Sequence, residues 1–291
     1  MTLPPFESTE STPRSQPSPD PDARTQSPIV ISQRHLGLFE HCPRHYQADI
    51  LDRRSLPIAD HQRDALQRGQ QFHHLLQQRA LGLVSSIHDP QLDRWLDRLQ
   101  HAATLYPHSD PSQYYLAEHT RTLALPPFTL LVRYDALIAD RDRADIIDWK
   151  TYARPKQPQK LANHWQTRLY RYVLAATSDY PPDRIAMVYW FAESEADARG
   201  GSDRVTFPYD ADQFKRDHHA IAGLLDRLAT HLAPPDRHAT PPPLFPSRLD
   251  LGQSCPRDRC ACLQLQLLDD RESGQTAIEL ADIADIDEVV P

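Results

Sequence analysis

Residues 130–150 read Leu-Leu-Val-Arg-Tyr-Asp-Ala-Leu-Ile (130–138), Ala-Asp-Arg-Asp-Arg (139–143) and Ala-Asp-Ile-Ile-Asp-Trp-Lys (144–150). Two apolar runs flank a short charged segment, which is the pattern of a β-hairpin. Asp135 lies in the first run; Asp148 and Lys150 lie near the end of the second. Side chains alternate across a strand, so residues two apart share a face. Asp148 and Lys150 therefore point one way and Trp149 the other. Across the hairpin, Asp135 is placed to join them. Two carboxylates and a lysine at one spot suit a divalent cation and the activation of water for phosphodiester cleavage. Mg²⁺ and Mn²⁺ prefer carboxylate and water oxygens, and a lysine is a compact cation for developing charge. Taken alone, Asp-x-Lys also fits a surface hairpin with an exposed ion pair.

The flanking segments add weight. Residues 161–173 look helical, with Leu161, Trp165, Leu169, Tyr172 and Val173 at helical spacing. Gln166 and Tyr170 are four apart and share one face of that helix. Upstream, Leu66, Gly69, His73 and Leu76 fall on one face of another helix. His74 falls on a polar face with Gln67, Gln70 and Gln78. His73 is thus the histidine aimed inward.

In order and spacing these motifs resemble the RecB-like branch of the PD-(D/E)XK nuclease superfamily. The resemblance rests on Arg68-Gly69-x-x-x-His73, Tyr134-Asp135-Ala136, Asp148-Trp149-Lys150 and Gln166-x-x-x-Tyr170. Ser32, Leu36, Phe39 and the run Cys42-Pro43-Arg44-His45-Tyr46 match an N-terminal signature. It covers about residues 30–265 and departs at Val132, where the family usually has glycine. The resemblance implies an α/β fold, a restriction-endonuclease-like mixed central sheet flanked by helices. It implies DNA cleavage with Mg²⁺ or Mn²⁺. Asp135, Asp148 and His73 would be metal ligands, with the Trp149 backbone carbonyl as a further one. Lys150 would act on the nucleophilic water, and Gln166 and Tyr170 would support the site or contact DNA. Glu118, shortly before the hairpin, would approach the same site.

The chain has four cysteines: Cys42, Cys255, Cys260 and Cys262. No signal peptide or membrane span is read in the polar, proline-rich start, so the expected compartment is the cytoplasm, where structural disulfides are rare. One early cysteine with three late ones resembles the iron–sulfur staple of AddB and of the CRISPR-adaptation nucleases in this superfamily. The resemblance implies a [4Fe–4S] cluster. The late spacing, C-x4-C-x-C, is tighter than in those relatives. Four thiolates also suit zinc, and reduced thiols without metal are the plain alternative.

Organisation follows. Residues 1–28 are rich in Pro, Ser and acids and read as a disordered arm. Residues 29–268 form the expected nuclease-like domain with its cysteine segment, and 269–291 an acidic tail. Expected helices are Gln33–Leu51, Asp60–Leu81, Gln91–Leu105 and Asp212–Leu232. Tyr114–Leu125 is expected to start the sheet, Ile185–Ala192 to be a buried strand and Arg204–Tyr209 an edge strand. Ala233–Pro246 is a proline-rich loop. The formal charge of −8 counts mildly against tight DNA binding, but charge can be segregated, and without residues 1–28 and 269–291 the middle is closer to neutral. Arg154, Lys156 and Lys160 follow the second acidic strand and are candidates to meet phosphate. With 27 prolines and only 8 glycines there is no Gly-rich phosphate cradle, which argues against a built-in motor. The composite expectation is a metal-dependent DNA nuclease of repair, recombination or defence, with a helicase or similar protein as partner. The alternative is a catalytically weak nuclease-fold protein that binds DNA or a partner through a structural cysteine site.

Overall fold

The computed structural model describes residues 28–54, 60–83, 89–101, 113–194, 203–233, 244–248 and 250–252. Six strands form one mixed sheet: β1 (Ile29–Ile31), β2 (Tyr114–Leu125), β3 (Phe128–Ala139), β4 (Ala144–Lys150), β5 (Ile185–Phe191) and β6 (Arg204–Pro208). The helices are α1 (Gln33–His41), α2 (Pro43–Tyr46), α3 (Asp60–Ala80), α4 (Pro90–His101), α5 (Trp165–Thr177) and α6 (Ala211–Leu232).

The strand order is β1-β3-β4-β5-β6, with β2 on the other edge of β3. The 130–150 segment is the expected antiparallel hairpin, closed by Asp140, whose carboxylate accepts the backbone N–H of Asp142 and Arg143. β4 and β5 run parallel, and α5 lies between them in sequence. All seven residues of β5 are buried, as an apolar run covered on both faces requires.

Helices cover both faces. On one, α1, α5 and α6 pack their apolar stripes on Leu130, Val132, Tyr134, Ile146, Met187 and Tyr189. On the other, Phe72, Leu75 and Leu76 of α3 and Leu92, Trp95, Leu96 and Leu99 of α4 cover Ala136, Ile147, Trp149, Val188 and Trp190. The sheet is thus the middle layer of three, as expected for this class. Among the described residues no helix is long and apolar enough to cross a membrane.

Three expectations shift. The helix expected over 33–51 breaks at Cys42, whose extended backbone (φ −159°, ψ 107°) separates α1 from α2. Pro43 is the cause: it disfavours helical geometry in the residue before it and then starts the next helix. A π-helical turn, Gln47–Leu51, completes the segment. The sheet begins not at Tyr114 but at β1, which pairs in parallel with the start of β3. The helix begun at Pro90 is described to His101; residues 102–105 lie outside the described residues. Residues 1–27 and 253–291 also lie outside them, and with them most of the expected arm and all of the acidic tail.

A buried polar knot ties α5 to α6. Asp217, fully buried, accepts from Arg168 Nε at 2.7 Å, Gln213 Nε2 at 3.0 Å and the Tyr209 hydroxyl at 3.0 Å. Arg168 in turn lies over the Trp165 ring. Removing one partner of a buried pair leaves an uncompensated charge, at a cost of about 3–5 kcal/mol. Asp217→Ala should therefore lower unfolding free energy by about that amount in a urea titration; a change below about 1 kcal/mol would show that the knot contributes little.

Candidate active site

The β3–β4 ladder stops early. Its pairs run from Ala139↔Ala144 to Ala136↔Ile147. Continuing that register by one residue puts Asp135 opposite Asp148, and there the strands part. β4 goes on with β5 alone, while β3 goes on with β2 and then β1. A fork opens in the sheet with one acid on each prong.

A second irregularity sits at the same level. Leu130, Val132 and Tyr134 of β3 point into the core under α5, yet beyond Asp135 it is Leu137 and Ala139 that do so. Ala136 joins the opposite core. The alternation therefore slips at Asp135. On β2 it slips too: Leu123 and Leu125 pack toward one core and Tyr115 toward the other. Glu118, facing Asp135 between the pairs Ala117↔Ala136 and His119↔Tyr134, has a left-handed φ of 49°.

The consequence is convergence from both faces of the sheet. Asp135 turns its carboxylate toward β4, where Oδ2 accepts the Trp149 backbone N–H at 2.8 Å. From α3, His73 Nδ1 comes within 3.3 Å of Asp135 Oδ1. From α5, Gln166 donates through Nε2 to Asp148 Oδ1 at 2.6 Å and accepts from Lys150 Nζ at 3.0 Å. Lys150 Nζ also lies 2.9 Å from Asp148 Oδ2. Tyr170, one turn after Gln166, is buried against Tyr134. His73, Glu118, Asp135, Asp148, Lys150, Gln166 and Tyr170 line one cavity of about 700 Å³. The side chains expected to meet thus do meet. His74, expected on the polar face, pairs there with Gln78. Trp149 packs its ring in the core under α3, as alternation requires. Val132 is buried in the main core; on its strand Leu131, Arg133 and Asp135 form the cavity wall. The departure at Val132 therefore takes no space from the cavity.

Charge is balanced by proximity. Burial works against the charged forms of His73 and Lys150, but the neighbouring carboxylates win. Asp135 holds His73 up at about 9, and Asp148 holds Lys150 up at about 12. Asp135, although buried, is held below the usual carboxylate range by His73 and the Trp149 N–H. Asp148 is pushed above it by burial, with the Asp135 charge adding to the effect. Asp148 Oδ2 is buried and faces the Lys150 ammonium. His73, Glu118 and Asp135 offer ligand atoms that all lie within 4.8 Å of one another. Carboxylate oxygens and one imidazole form a donor set that fits a hard divalent cation.

A sequence model of the PD-(D/E)XK nuclease superfamily matches residues 30–263. The chain belongs to that superfamily. Its Asp148-Trp149-Lys150 tripeptide has the (D/E)XK form of the superfamily's name. Among solved structures, a candidate exonuclease from Eubacterium rectale is similar at 10% identity and a TM-score of 0.48, covering 93% of this chain and 97% of that one. The protein SSO0001 is similar at 13% identity and a TM-score of 0.33, covering 69% of this chain and 78% of that one. No curated protein matches the sequence.

In this superfamily member the site also depends on a glycine. A β-carbon on Gly69 would stand 3.2 Å from Thr151 Oγ1, just past the end of β4. Gly69 lets α3 come close enough for His73, one turn on, to reach Asp135. In an unconstrained helix Gly→Ala gains about 1 kcal/mol. Gly69→Ala should fail to show that gain, and should recover it when combined with Thr151→Ala, giving a coupling of at least about 0.5 kcal/mol in a double-mutant cycle of melting. Additive effects would mean that the contact is relieved without cost.

Proposed function

We propose that this chain is a divalent-metal-dependent deoxyribonuclease of the RecB-like type. The observation that carries the reading is the meeting of Asp135, Asp148, His73, Lys150 and Gln166 in the fork cavity. Asp135, Asp148 and His73 hold Mg²⁺ or Mn²⁺ in this reading, with the Trp149 backbone carbonyl as a further ligand. When bound, such a cation neutralises charge on a phosphate and acidifies water for attack. The protein's own groups do the rest. Lys150, held by Asp148 and Gln166, is placed to act on the nucleophilic water and on charge developing at the phosphate. Gln166 bonds Asp148 and Lys150 together and sets the distance between carboxylate and ammonium. Tyr170 shapes the wall below. Arg154, Lys156 and Lys160 are placed in sequence just past β4 to meet the DNA backbone. In this reading the enzyme works in the cytoplasm, in repair, recombination or defence, beside a helicase or another such protein.

The purified chain with Mn²⁺ or Mg²⁺ should degrade DNA. Asp148→Asn and Lys150→Ala should each reduce the rate by about a hundredfold or more. Asparagine is the better replacement at 148, because it keeps the bond from Gln166. Circular dichroism should show both variants folded. Intact DNA, single- and double-stranded, after exposure to the wild type with either metal would overturn the reading.

The cysteines belong to the same proposal. Cys42 is fully buried at the break between α1 and α2. Cys255, Cys260 and Cys262 lie outside the described residues. Support comes from the segment just before them. The Arg44 backbone N–H donates to Pro246 O at 3.2 Å, and the Arg44 side chain donates to Phe245 O. The Phe245 N–H donates to Gln47 Oε1 at 2.7 Å, and Arg248 Nη1 lies 2.9 Å from His41 Nδ1. The chain leading to Cys255 is therefore docked on the turn that carries Cys42. We infer that the four sulfurs hold a [4Fe–4S] cluster, with zinc as the alternative metal. Metal binding there would also be folding energy. Anaerobically purified protein should be brown, and Cys42→Ser should lose the colour and lower Tm. Colourless protein containing zinc would replace the cluster; colourless protein without metal would leave reduced thiols.

A further inference from the structure

We propose that Tyr189 is a positioning residue of the reaction: the face of its ring holds the Lys150 ammonium in place, and Thr167 holds the ring. The inference rests on the nuclease reading above and adds to it the group that fixes its lysine.

A lysine carries its charge on a flexible four-carbon stem with three rotatable N–H donors. Asp148 and Gln166 take the Lys150 ammonium at 2.9 and 3.0 Å. In the nuclease reading Asp148 is shared with the metal, so its hold on Lys150 weakens as the site loads. A neutral ring does not compete for the metal. β5 supplies that ring. It pairs in parallel with β4, with Tyr189 in register with Asp148 and Phe191 with Lys150. Lys150 Nζ stands over the Tyr189 ring, 5.5 Å from its centroid. A cation at that range is attracted to the negative face of the ring. Tyr189 is 1% exposed and does not line the cavity, so it holds the ammonium from within the core without facing the substrate.

The hydroxyl shows why a tyrosine stands here. Thr167 has one hydroxyl proton and gives it to the Leu161 carbonyl at 2.6 Å, an oxygen that can only accept. The Tyr189 hydroxyl, 2.7 Å from the same Oγ1, is therefore the donor of that bond. A phenol that donates its proton has a more electron-rich ring, and so a more attractive face for a cation. Thr167 follows Gln166 on α5 and is fully buried. One turn of α5 thus governs Lys150 twice. Gln166 accepts from the ammonium directly, and Thr167 fixes the ring under it. Phe191 and Phe207 pack around that ring, with centroids at 6.4 and 5.9 Å, and keep it from swinging away.

The test replaces Tyr189 in the full chain and measures kcat and KM on DNA with Mn²⁺, Mn²⁺ affinity by calorimetry, and Tm. Tyr189→Leu should lower kcat by about tenfold, with KM and Mn²⁺ affinity within about twofold of the wild type. Tyr189→Phe keeps the ring and should recover most of that loss. Phenylalanines bearing one, two and three ring fluorines, placed at position 189, keep the shape and draw electrons from the face. The logarithm of kcat should fall in step with fluorination while Tm stays level. A residue that merely fills the core would give no such slope. A flat fluorine series, or a loss in Tyr189→Leu that Tyr189→Phe does not recover, would overturn the proposal and leave the nuclease reading standing. If Tyr189→Leu does not fold, the fluorine series decides alone. Wild type without activity on DNA would remove the nuclease reading and this proposal together.

Discussion

The structure turns on a like-charge contact that the sheet itself creates. Register carried one step past the last β3–β4 pair, Ala136↔Ile147, would set Asp135 directly opposite Asp148, and the strands part there. Directly paired residues of an antiparallel sheet stand about 5 Å apart, where two carboxylates repel by roughly 3 kcal/mol at intermediate dielectric. The arrangement persists because each acid has its own cation. His73 neutralises Asp135 and Lys150 neutralises Asp148, and the strands part instead of bringing the acids closer. The two carboxyls consequently respond in opposite directions, Asp135 downward and Asp148 upward. Two acids driven apart in this way are a frequent mark of a functional site.

The fork also solves a problem of access. In an unbroken sheet, a side chain from α3 and one from α5 meet opposite faces and never each other. Here they meet through the gap. Precision comes from the core: Phe72 stacks on Trp190 while its neighbour His73 reaches Asp135. Trp149 packs edge-on against the same Trp190 and leaves Asp148 and Lys150 facing α5. Leu169 and Val173 anchor α5 in the main core, while Gln166 holds both charged groups. Each polar group that lines the gap is carried by, or next to, a residue locked in packing. That is the condition for holding a reactive geometry.

Much of this was legible in the sequence. The hairpin, the α5 and α6 stripes and the split between His73 and His74 follow from periodicity, because burial of one face dictates where apolar residues recur. The convergence at the site was legible as an outcome but not as a mechanism. Plain alternation predicts one shared face for Asp135, Asp148 and Lys150; the structure reaches the same meeting through a fork and a slip in the pleat. Nothing in the sequence marks the slip, since the left-handed residue is Glu118 and not a glycine. β1 escaped notice because three residues carry no period. The break at Cys42 was signalled by Pro43, but the flanking apolar residues, Leu36, Phe39 and Tyr46, keep a helical rhythm across it.

The charge balance of the cleft bears on how an acidic chain would meet a polyanion. The formal charge of −8 sits in the terminal segments: residues 1–28 carry four acids against two bases and residues 253–291 nine against three, while residues 29–252 carry 27 of each. Within the cleft, Glu118, Asp135 and Asp148 are set against His73, Lys150 and Arg133, so the metal-free cavity is close to neutral. A divalent cation added to that set would leave it net positive. Attraction for phosphate would then centre on the fork and follow the metal. Elsewhere the balance of acids and bases over residues 29–252 gives a polyanion no net attraction. A cation at the fork would thus supply a charge complementarity that the balanced middle of the chain does not.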